Sequence, residues 1–312
     1  MRIAIILDPI EHIKNYKDST FAIMREAAKR GHALFVMAQG DVVLRDQQVI
    51  GFARKLEMLD DAKHWYALGE VAASPLAAFD AVLMRKDPPF DMEYVFITYL
   101  LELAVAQGAR ILNKPAAIRD YNEKLAIAKF PQFMAPTLVT RQPALIHAFI
   151  TEHQDVIVKP LDAMGGASVF RVTATDVNLN VIVETMTELG RRTIMAQRFI
   201  PQIALGDKRI LIIDGEAAPY ALARIPKAGE TRGNLAAGGT GVAQLLTPRD
   251  HEIAATLGPV LKAAGLFLVG LDVIGDYLTE INVTSPTGMQ EISAQTGFDV
   301  AGMFVDALER QC

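Results

Sequence analysis

The sequence predicts a mixed architecture, α/β at the amino end and α+β beyond it. Three observations carry this expectation. Over the first ~115 residues, buried-type strands alternate with helical patterns, which is the signature of a parallel sheet covered by helices. Near Asn113-Lys114-Pro115 the pattern changes to helices among mainly antiparallel strands. The length, 312 residues, exceeds one domain at roughly 150 residues each and suggests two or three.

The elements follow in order. Residues 2–7 (RIAIIL) are apolar enough for a strand buried on both faces. A helix over 19–30 has Asp18 as N-cap and Gly31 just past its end. Strands are expected at 33–37 and 80–84, with a hairpin of edge strands over 42–58. Residues 91–107 place apolar side chains at 92, 95, 96, 99, 100 and 103, which is helical spacing. A short strand starts at 110. Beyond the change of pattern, helices are expected at 122–130, 142–152 and 177–189, with strands at 136–140, 155–159, 168–172 and 193–198. Strands at 209–213, 216–224, 267–274 and 277–282 then surround a helix over 248–264. That helix carries Thr247 before Pro248, Asp250 as the acid of a capping box, and Gly265 beyond its end. A last helix covers about 299–310.

Composition narrows the chemistry. Hydrophobic residues make up 51% and charged residues 21%, so a large core is available and disorder is not the main state. The net charge of -5 argues against nucleic acid as a main partner. The single cysteine, Cys312, excludes a disulfide framework within the chain and any cysteine-rich metal site, and fits a reducing compartment. The stretch 94–106 is interrupted by Thr98 and Glu102 and falls short of the ~18 apolar residues a membrane span needs. The first apolar run is too short for an export signal. A cytoplasmic protein without membrane contact is expected. There is no P-loop, no G-x-G-x-x-G after the first strand, no G-x-S-x-G elbow and no H-E-x-x-H. A nicotinamide-dependent oxidoreductase is therefore poorly supported.

Three segments point to phosphate and divalent-metal chemistry. In 158–168 (VKPLDAMGGAS) a buried strand delivers Lys159, and Gly165 and Gly166 follow. Glycines let backbone N–H groups approach an anion, and a nearby lysine meets phosphate as a point charge. The plain alternative is a glycine hairpin with a surface lysine. In 270–282 (GLDVIGDYLTEIN), Asp272, Glu280 and Asn282 supply only oxygen ligands, which suit Mg²⁺. Glu280 and Asn282 share a strand face. A two-residue turn at Gly275-Asp276 alone would put Asp272 and Glu280 on opposite faces, whereas a three-residue loop or a bulge would bring them together. The alternative is a solvated polar face. The third segment, 225–241, has five glycines and no apolar period; loops this long inside a domain are usually lids or linkers. It carries Arg232 and Asn234, which can bind carboxylate or phosphate.

A lysine-bearing strand before a glycine loop, then D-x-R, then D…E-x-N, resembles the ATP-grasp superfamily. MRKDPPFD (84–91), NEKL (122–125), KPLDAMGGAS (159–168), GDKR (206–209), ARIPKAGETRGNLAAGG (223–239) and LTEINVTSPTG (278–288) resemble the bacterial glutathione synthetases. These runs spread over almost the whole chain.

The resemblance implies an ATP-grasp fold with an N-terminal parallel α/β domain for substrate (1–121), a small lid domain (122–200), and a C-terminal domain with the metal site and the 225–241 lid loop (201–312). It implies ATP-dependent joining of γ-glutamylcysteine and glycine through an acyl phosphate. Lys124 and Lys159 are then expected on the nucleotide, Gly165 and Gly166 over its phosphates, and Gln197, Phe199 and Ile200 along adenine. Asp207 is expected near the nucleotide. Arg209 and Arg224, with Arg232 and Asn234 from the lid loop, are expected to face phosphates or the reacting carboxylate. Asp272, Glu280 and Asn282 are the expected ligands of Mg²⁺ or Mn²⁺. Asp18, Ser19, Arg85 and Ser285 are expected on the peptide; helix capping for Asp18 or Ser19 and a structural ion pair for Arg85 are the alternatives. The family implies a homodimer or homotetramer. Ala163, Arg198 and Thr240 depart from the family pattern. Two rivals are a different ATP-grasp ligase and a nucleotide-binding regulatory module without turnover.

Overall fold

The computed structural model describes residues 1–61, 63–163, 165–230, 232–233 and 238–312. Among the described residues the strands form three sheets.

The first sheet contains β1 (Arg2–Ile6), β2 (Ala33–Met37), β3 (Val42–Arg45), β4 (Gln48–Met58), β5 (Tyr66–Pro75), β6 (Ala81–Met84) and β7 (Ile111–Leu112), in the order β3-β4-β2-β1-β6-β7, with β5 on β4. Helices α1 (Ser19–Lys29), α2 (Met92–Ala106) and α3 (Pro115–Asp120) belong to the same part of the chain. β1 pairs in parallel with β2 and β6, as its apolar run requires. The parallel pairing continues from β6 to β7, whereas β4 joins β2 antiparallel and carries β5 on its flank. The β1–α1 connection ends at Asp18, whose Oδ1 accepts from the backbone N–H groups of Thr20 (2.6 Å) and Phe21 (3.0 Å). The carboxyl ends of β1 and β6 bring Asp8 and the run 85–87 to one edge, where ligands of open parallel sheets bind.

The second sheet holds β8 (Thr137–Thr140), β9 (Asp155–Pro160), β10 (Phe170–Thr173) and β11 (Ile194–Arg198), all antiparallel, in the order β10-β9-β11-β8. With α4 (Pro143–His153) and α5 (Leu179–Met186) it encloses its own apolar core, centred on Ile146, Ile150, Val156, Val158 and Ile194.

The third sheet is antiparallel and contains β12 (Asp207–Ile213), β13 (Glu216–Ile225), β14 (Thr240–Leu245), β15 (Leu268–Ile274) and β16 (Tyr277–Asn282) in the order β14-β13-β12-β15-β16. α6 (Pro248–Ala264) starts with the expected capping box, Thr247 with Asp250, and ends at Gly265 in the left-handed region (φ 84°). α7 (Met289–Thr296) and α8 (Val300–Gln311) complete the chain's elements. No described helix is long and apolar enough to cross a membrane.

One expected helix is absent. Within 122–130 only a short 3₁₀ stretch forms, Leu125–Lys129, and a second, Pro131–Phe133, follows it. Asn122 Oδ1 accepts from the N–H groups of Lys124 and Leu125, and the Glu123 carbonyl accepts from Ile281 N–H at 2.7 Å. These bonds spend the backbone on a turn and on β16, and Pro131 stops the rest.

The first and third sheets share a continuous core that runs from Ala4 and Ile6 to Leu271 and Ile281. Asn113 pins them together. Its Nδ2 donates to the carbonyls of Leu268 (2.9 Å) and Val283 (2.7 Å), and its Oδ1 accepts from Phe267 (2.6 Å) and Leu268 (2.9 Å) N–H.

Candidate active site

A cavity of about 460 Å³ opens where the three sheets meet. Its metal-type end is set by strand register. β15 and β16 are joined by the two-residue turn Gly275-Asp276, so Ile274 faces Tyr277 and Val273 faces Leu278. A bulge at Thr279 then shifts the ladder, and Asp272 pairs with Glu280 and Gly270 with Asn282. The three oxygen-bearing residues thus share one face, as a cation site there requires. Thr279 Oγ1 fixes the bulge by donating to the Asp272 carbonyl (3.0 Å).

Asp272 is the buried hub of this face. Arg209 grips it with two bonds, Nε to Oδ1 at 2.8 Å and Nη2 to Oδ2 at 2.7 Å, and Arg224 Nη2 reaches Oδ2 at 2.8 Å. Asn282 Nδ2 adds a bond to Oδ2 at 3.2 Å. Burial works against the Asp272 charge, but Arg209 and Arg224 outweigh it and hold the carboxyl well below the usual range. Asp207 also pairs with Arg224, yet burial pushes its carboxyl up to about 7. Its Oδ1 is buried without a hydrogen-bond partner among the described residues. Arg209, Arg224, Asp207, Glu280 and Asn282 line the cavity, with Asp272 behind them.

β9 brings Lys159 to the cavity wall, where burial depresses its ammonium below the ordinary value. Lys124 lies opposite. Its Nζ donates to Glu123, to the carbonyl of Ala163 at 2.6 Å, and lies 3.7 Å from Glu280. Burial opposes its charge, but Glu280 and Glu123 raise its pKa above the ordinary value. Gly165 and Gly166 line the same end, both at positive φ (66° and 80°). Gln197, Phe199 and Ile200 follow β11 along a slot that also includes Ile157, Val169 and Ile274. Arg171 stacks on Phe199, 3.7 Å from the ring centre, and Arg198 donates to the Tyr277 hydroxyl at 3.1 Å. The slot is apolar between two polar ends, a shape suited to a flat aromatic base.

At the far end, Asp18 and Ser285 line the cavity, and so do Lys17 and Asp87. Two expected contacts are not on the wall. Ser19 is fully buried and its Oγ accepts from Met289 N–H at 3.3 Å, because it lies inside the first turn of α1. Arg85 is buried below Pro286, donating to its carbonyl (3.1 Å) and to Thr20 Oγ1 (3.1 Å). Among the described residues it forms no ion pair, and Nη1 has no hydrogen-bond partner. From the 225–241 loop, Arg232 reaches the wall while bound to Glu230 at 2.6 Å. Asn234 lies outside the described residues.

Sequence reasoning missed Glu123, Asp87 and Glu291, which also line the cavity. Glu123 and Asp87 sit inside motifs already singled out, NEKL and MRKDPPFD. Glu291 lies on α7, a helix whose start, Gly288 at φ 118°, offers no side-chain cap to read.

Comparison with known proteins agrees with this geometry. The family model for the prokaryotic glutathione synthetase N-terminal domain matches residues 1–119, and the one for the ATP-grasp domain of the same enzymes matches 123–297. The chain belongs to the prokaryotic glutathione synthetase family. Members named glutathione synthetase are 62% identical in Nitrosomonas europaea (99% of this chain, 98% of that one) and 57% identical in Neisseria meningitidis serogroup A (99% and 98%). Solved structures share the fold at low identity. The D-cycloserine synthetase DcsG has a TM-score of 0.68 at 14% identity, covering 99% of each chain. The ATP-grasp ligase PsnB, complexed with a minimal precursor, has a TM-score of 0.66 at 18%, covering 99% of this chain and 98% of its own. PsnB has also been solved with Mg and ADP. Members of this family are ligases, and the cationic, oxygen-bearing lining of the cavity is of the kind phosphoryl chemistry uses.

Proposed function

We propose that the chain joins γ-glutamylcysteine to glycine, converting ATP to ADP and phosphate through an acyl phosphate. Membership of the family over nearly the whole chain supports the reaction, and one observation supports the route. Arg209, Arg224, Lys124 and Lys159 converge with the oxygen donors Asp207, Glu280 and Asn282 on one cavity, a set suited to neutralising phosphate charge.

A carboxylate is a poor electrophile because it is anionic and lacks a leaving group. In the proposed route its oxygen takes the γ-phosphoryl group, the bond to ADP breaks, and an acyl phosphate forms. The glycine amine then attacks the acyl carbon, phosphate leaves, and the amine proton is released. Arg209 and Arg224 face the reacting carboxylate and the transferred group. Lys124 and Lys159 neutralise phosphate oxygens, and Gly165 and Gly166 close over them with backbone N–H groups. The slot along Gln197, Phe199 and Ile200 holds adenine. Lys17, on the wall, suits the distant carboxylate of the dipeptide, with Arg85 holding the Pro286 carbonyl behind it, while Ser285, hydrogen-bonded to Asp87, borders it.

The donor set of Asp272, Glu280 and Asn282 consists only of oxygens and fits a hard divalent cation, with Glu280 and Asn282 reaching the cavity. Asp272 already accepts four hydrogen bonds from Arg209, Arg224 and Asn282, about its full lone-pair capacity, so it would meet a cation by exchanging one of them. When bound, Mg²⁺ neutralises phosphate charge as phosphoryl transfer proceeds. A cytoplasmic location and assembly as a homodimer or homotetramer belong to the same reading; sedimentation checks the second.

The deciding experiment measures phosphate release from ATP with γ-glutamylcysteine and glycine, each omitted in turn. Fast release is expected only with both. Release that ignores either substrate would overturn the assignment.

A further inference from the structure

A second cavity, of about 730 Å³, opens at the opposite ends of the same strands. The candidate active site takes Asp87 after β6 and Asp207 at the start of β12, whereas this cavity takes Asp80 before β6, Arg110 before β7 and Asp214 after β12. Its apolar wall is buried, with Phe79 and Ile111 from the first sheet's side and Leu266 and Phe267 from the third's. The charges on the rim are unevenly paired. Asp80 accepts from Arg2 N–H at 2.6 Å, and Asp214 is held by Lys262 at 2.9 Å and by Gln311 at 2.7 Å. Arg110 and Lys114 also line the cavity, and their side chains have neither a hydrogen bond nor an ion pair among the described residues. Lys114 is nonetheless held in place. Its stem lies across Gly265, where an added Cβ would stand 2.2 Å from Lys114 Cδ, and its N–H donates to the Gly265 carbonyl at 3.0 Å. It does not cap α6, because the Gly265 and Leu266 N–H groups already take the Lys262 and Leu261 carbonyls, both at 2.9 Å.

We propose that this second cavity binds a small organic anion, with a carboxylate or phosphate head on a short apolar body. Ligand pockets are mostly apolar, carry a few placed polar groups and favour the boundaries between structural units. This cavity has all three properties. Arg110 offers a planar fork of donors and Lys114 a point charge, which together suit an acidic head. The rim carboxylates are engaged and these two cations are not, so an anion is favoured over a cation. Phe79 and Phe267 offer apolar surface to the body of the ligand. The occupant touches both outer sheets, and on the third it meets Phe267, whose N–H is capped by Asn113. Binding therefore stabilises the joint between those sheets and competes with nothing in the main cavity.

Cys312, the single cysteine of the chain, supplies the readout. It is exposed and lines the same cavity, with its Sγ 3.6 Å from the Asp80 carbonyl. The test times alkylation of the full chain by iodoacetamide in the presence of 1-naphthyl phosphate, 1-naphthoate, inorganic phosphate or 1-naphthol. Each is run with and without saturating Mg²⁺ and ADP. At least one naphthyl anion should slow alkylation saturably, and the stronger of the two identifies the preferred head. Phosphate alone and naphthol alone should each bind about tenfold more weakly or worse, since each lacks one half of the fit. Mg²⁺ and ADP should leave the protection unchanged. Lys114→Met and Arg110→Gln keep most of the stem and remove the charge. Each should weaken protection on the order of tenfold, as expected for a charge-assisted contact, and leave turnover near the wild-type rate. Calorimetric titration of Cys312→Ser should give the same order of affinities without the alkylating reagent. Absence of protection by both anions at millimolar concentration would overturn the proposal. Protection erased by Mg²⁺ and ADP would do so too, by moving the anion to the main cavity. Protection equal in both charge variants would reduce it to nonspecific adsorption. Slow alkylation without any anion, deepening with protein concentration, would mean that a second copy covers this face instead.

Discussion

Asp272 and Glu280 face each other across one ladder position but do different work. Glu280 reaches the cavity; Asp272 holds two guanidinium groups. Glu280→Gln keeps the shape and removes the charge, so turnover should fall about ten- to a hundredfold, from roughly 1.5–3 kcal/mol of lost charged contact. Thermal unfolding of that variant should match the wild type. Asp272→Asn should instead destabilise the fold, since removing one partner of a buried ion pair costs about 3–5 kcal/mol. The acid dependence has a definite sign. The native Asp272 carboxyl lies below its ordinary value of 3.8, so its contribution is full above that value and is lost as pH falls from there toward the lower native one. Chemical denaturation should therefore show the gap between wild type and Asp272→Asn narrowing only below about pH 4. A gap constant down to pH 2 would mean that the arginine contacts do not stabilise the charged form.

At the level of elements, the sequence is readable where one physical signal dominates. β1 is apolar on both faces, and α6 advertises both of its ends; each stands within a residue of its expected place. The pairing of Asp272 with Glu280 was legible only as a choice between registers, because a bulge leaves no mark in a two-residue turn. β14 was masked by the end of the glycine-rich loop: it begins at Thr240, and its apolar residues do not alternate cleanly. β5 is largely exposed on its sheet's flank, so no buried face patterns it. The 122–130 segment misled because helical spacing competed with the Asn122 side chain, a tertiary contact to β16 and Pro131. Most site residues came from motif order, whereas Glu291 needed an element that composition does not announce. The lid loop carries its own prediction. Among the described residues Arg232 pairs with Glu230, two residues away and partly exposed, and such pairs contribute little. Trypsin should cut after Arg232 readily in the free protein and at least severalfold more slowly with ATP, Mg²⁺ and γ-glutamylcysteine together. Equal rates would remove the lid role.

For the whole molecule, the three sheets are not equally joined. The middle sheet has a core of its own, whereas the first and third share one and are pinned by Asn113. Asn113→Ala would leave two N–H groups and two carbonyls buried without partners, a loss of about 3 kcal/mol or more. Denaturant unfolding should show that loss, and an unchanged midpoint would mean that the joint relaxes around the gap. Asn113 also supplies a natural reporter. Because its side-chain oxygen caps the Phe267 and Leu268 amides, those hydrogens can trade with deuterated solvent only when the seam between the two outer sheets parts. Amides of β10, at the edge of the middle sheet, need no such event. Ligand that brings the middle sheet down should slow the β10 clock and leave the seam clock running as before, so two isotope labels in one experiment separate closing of the enzyme from its unfolding.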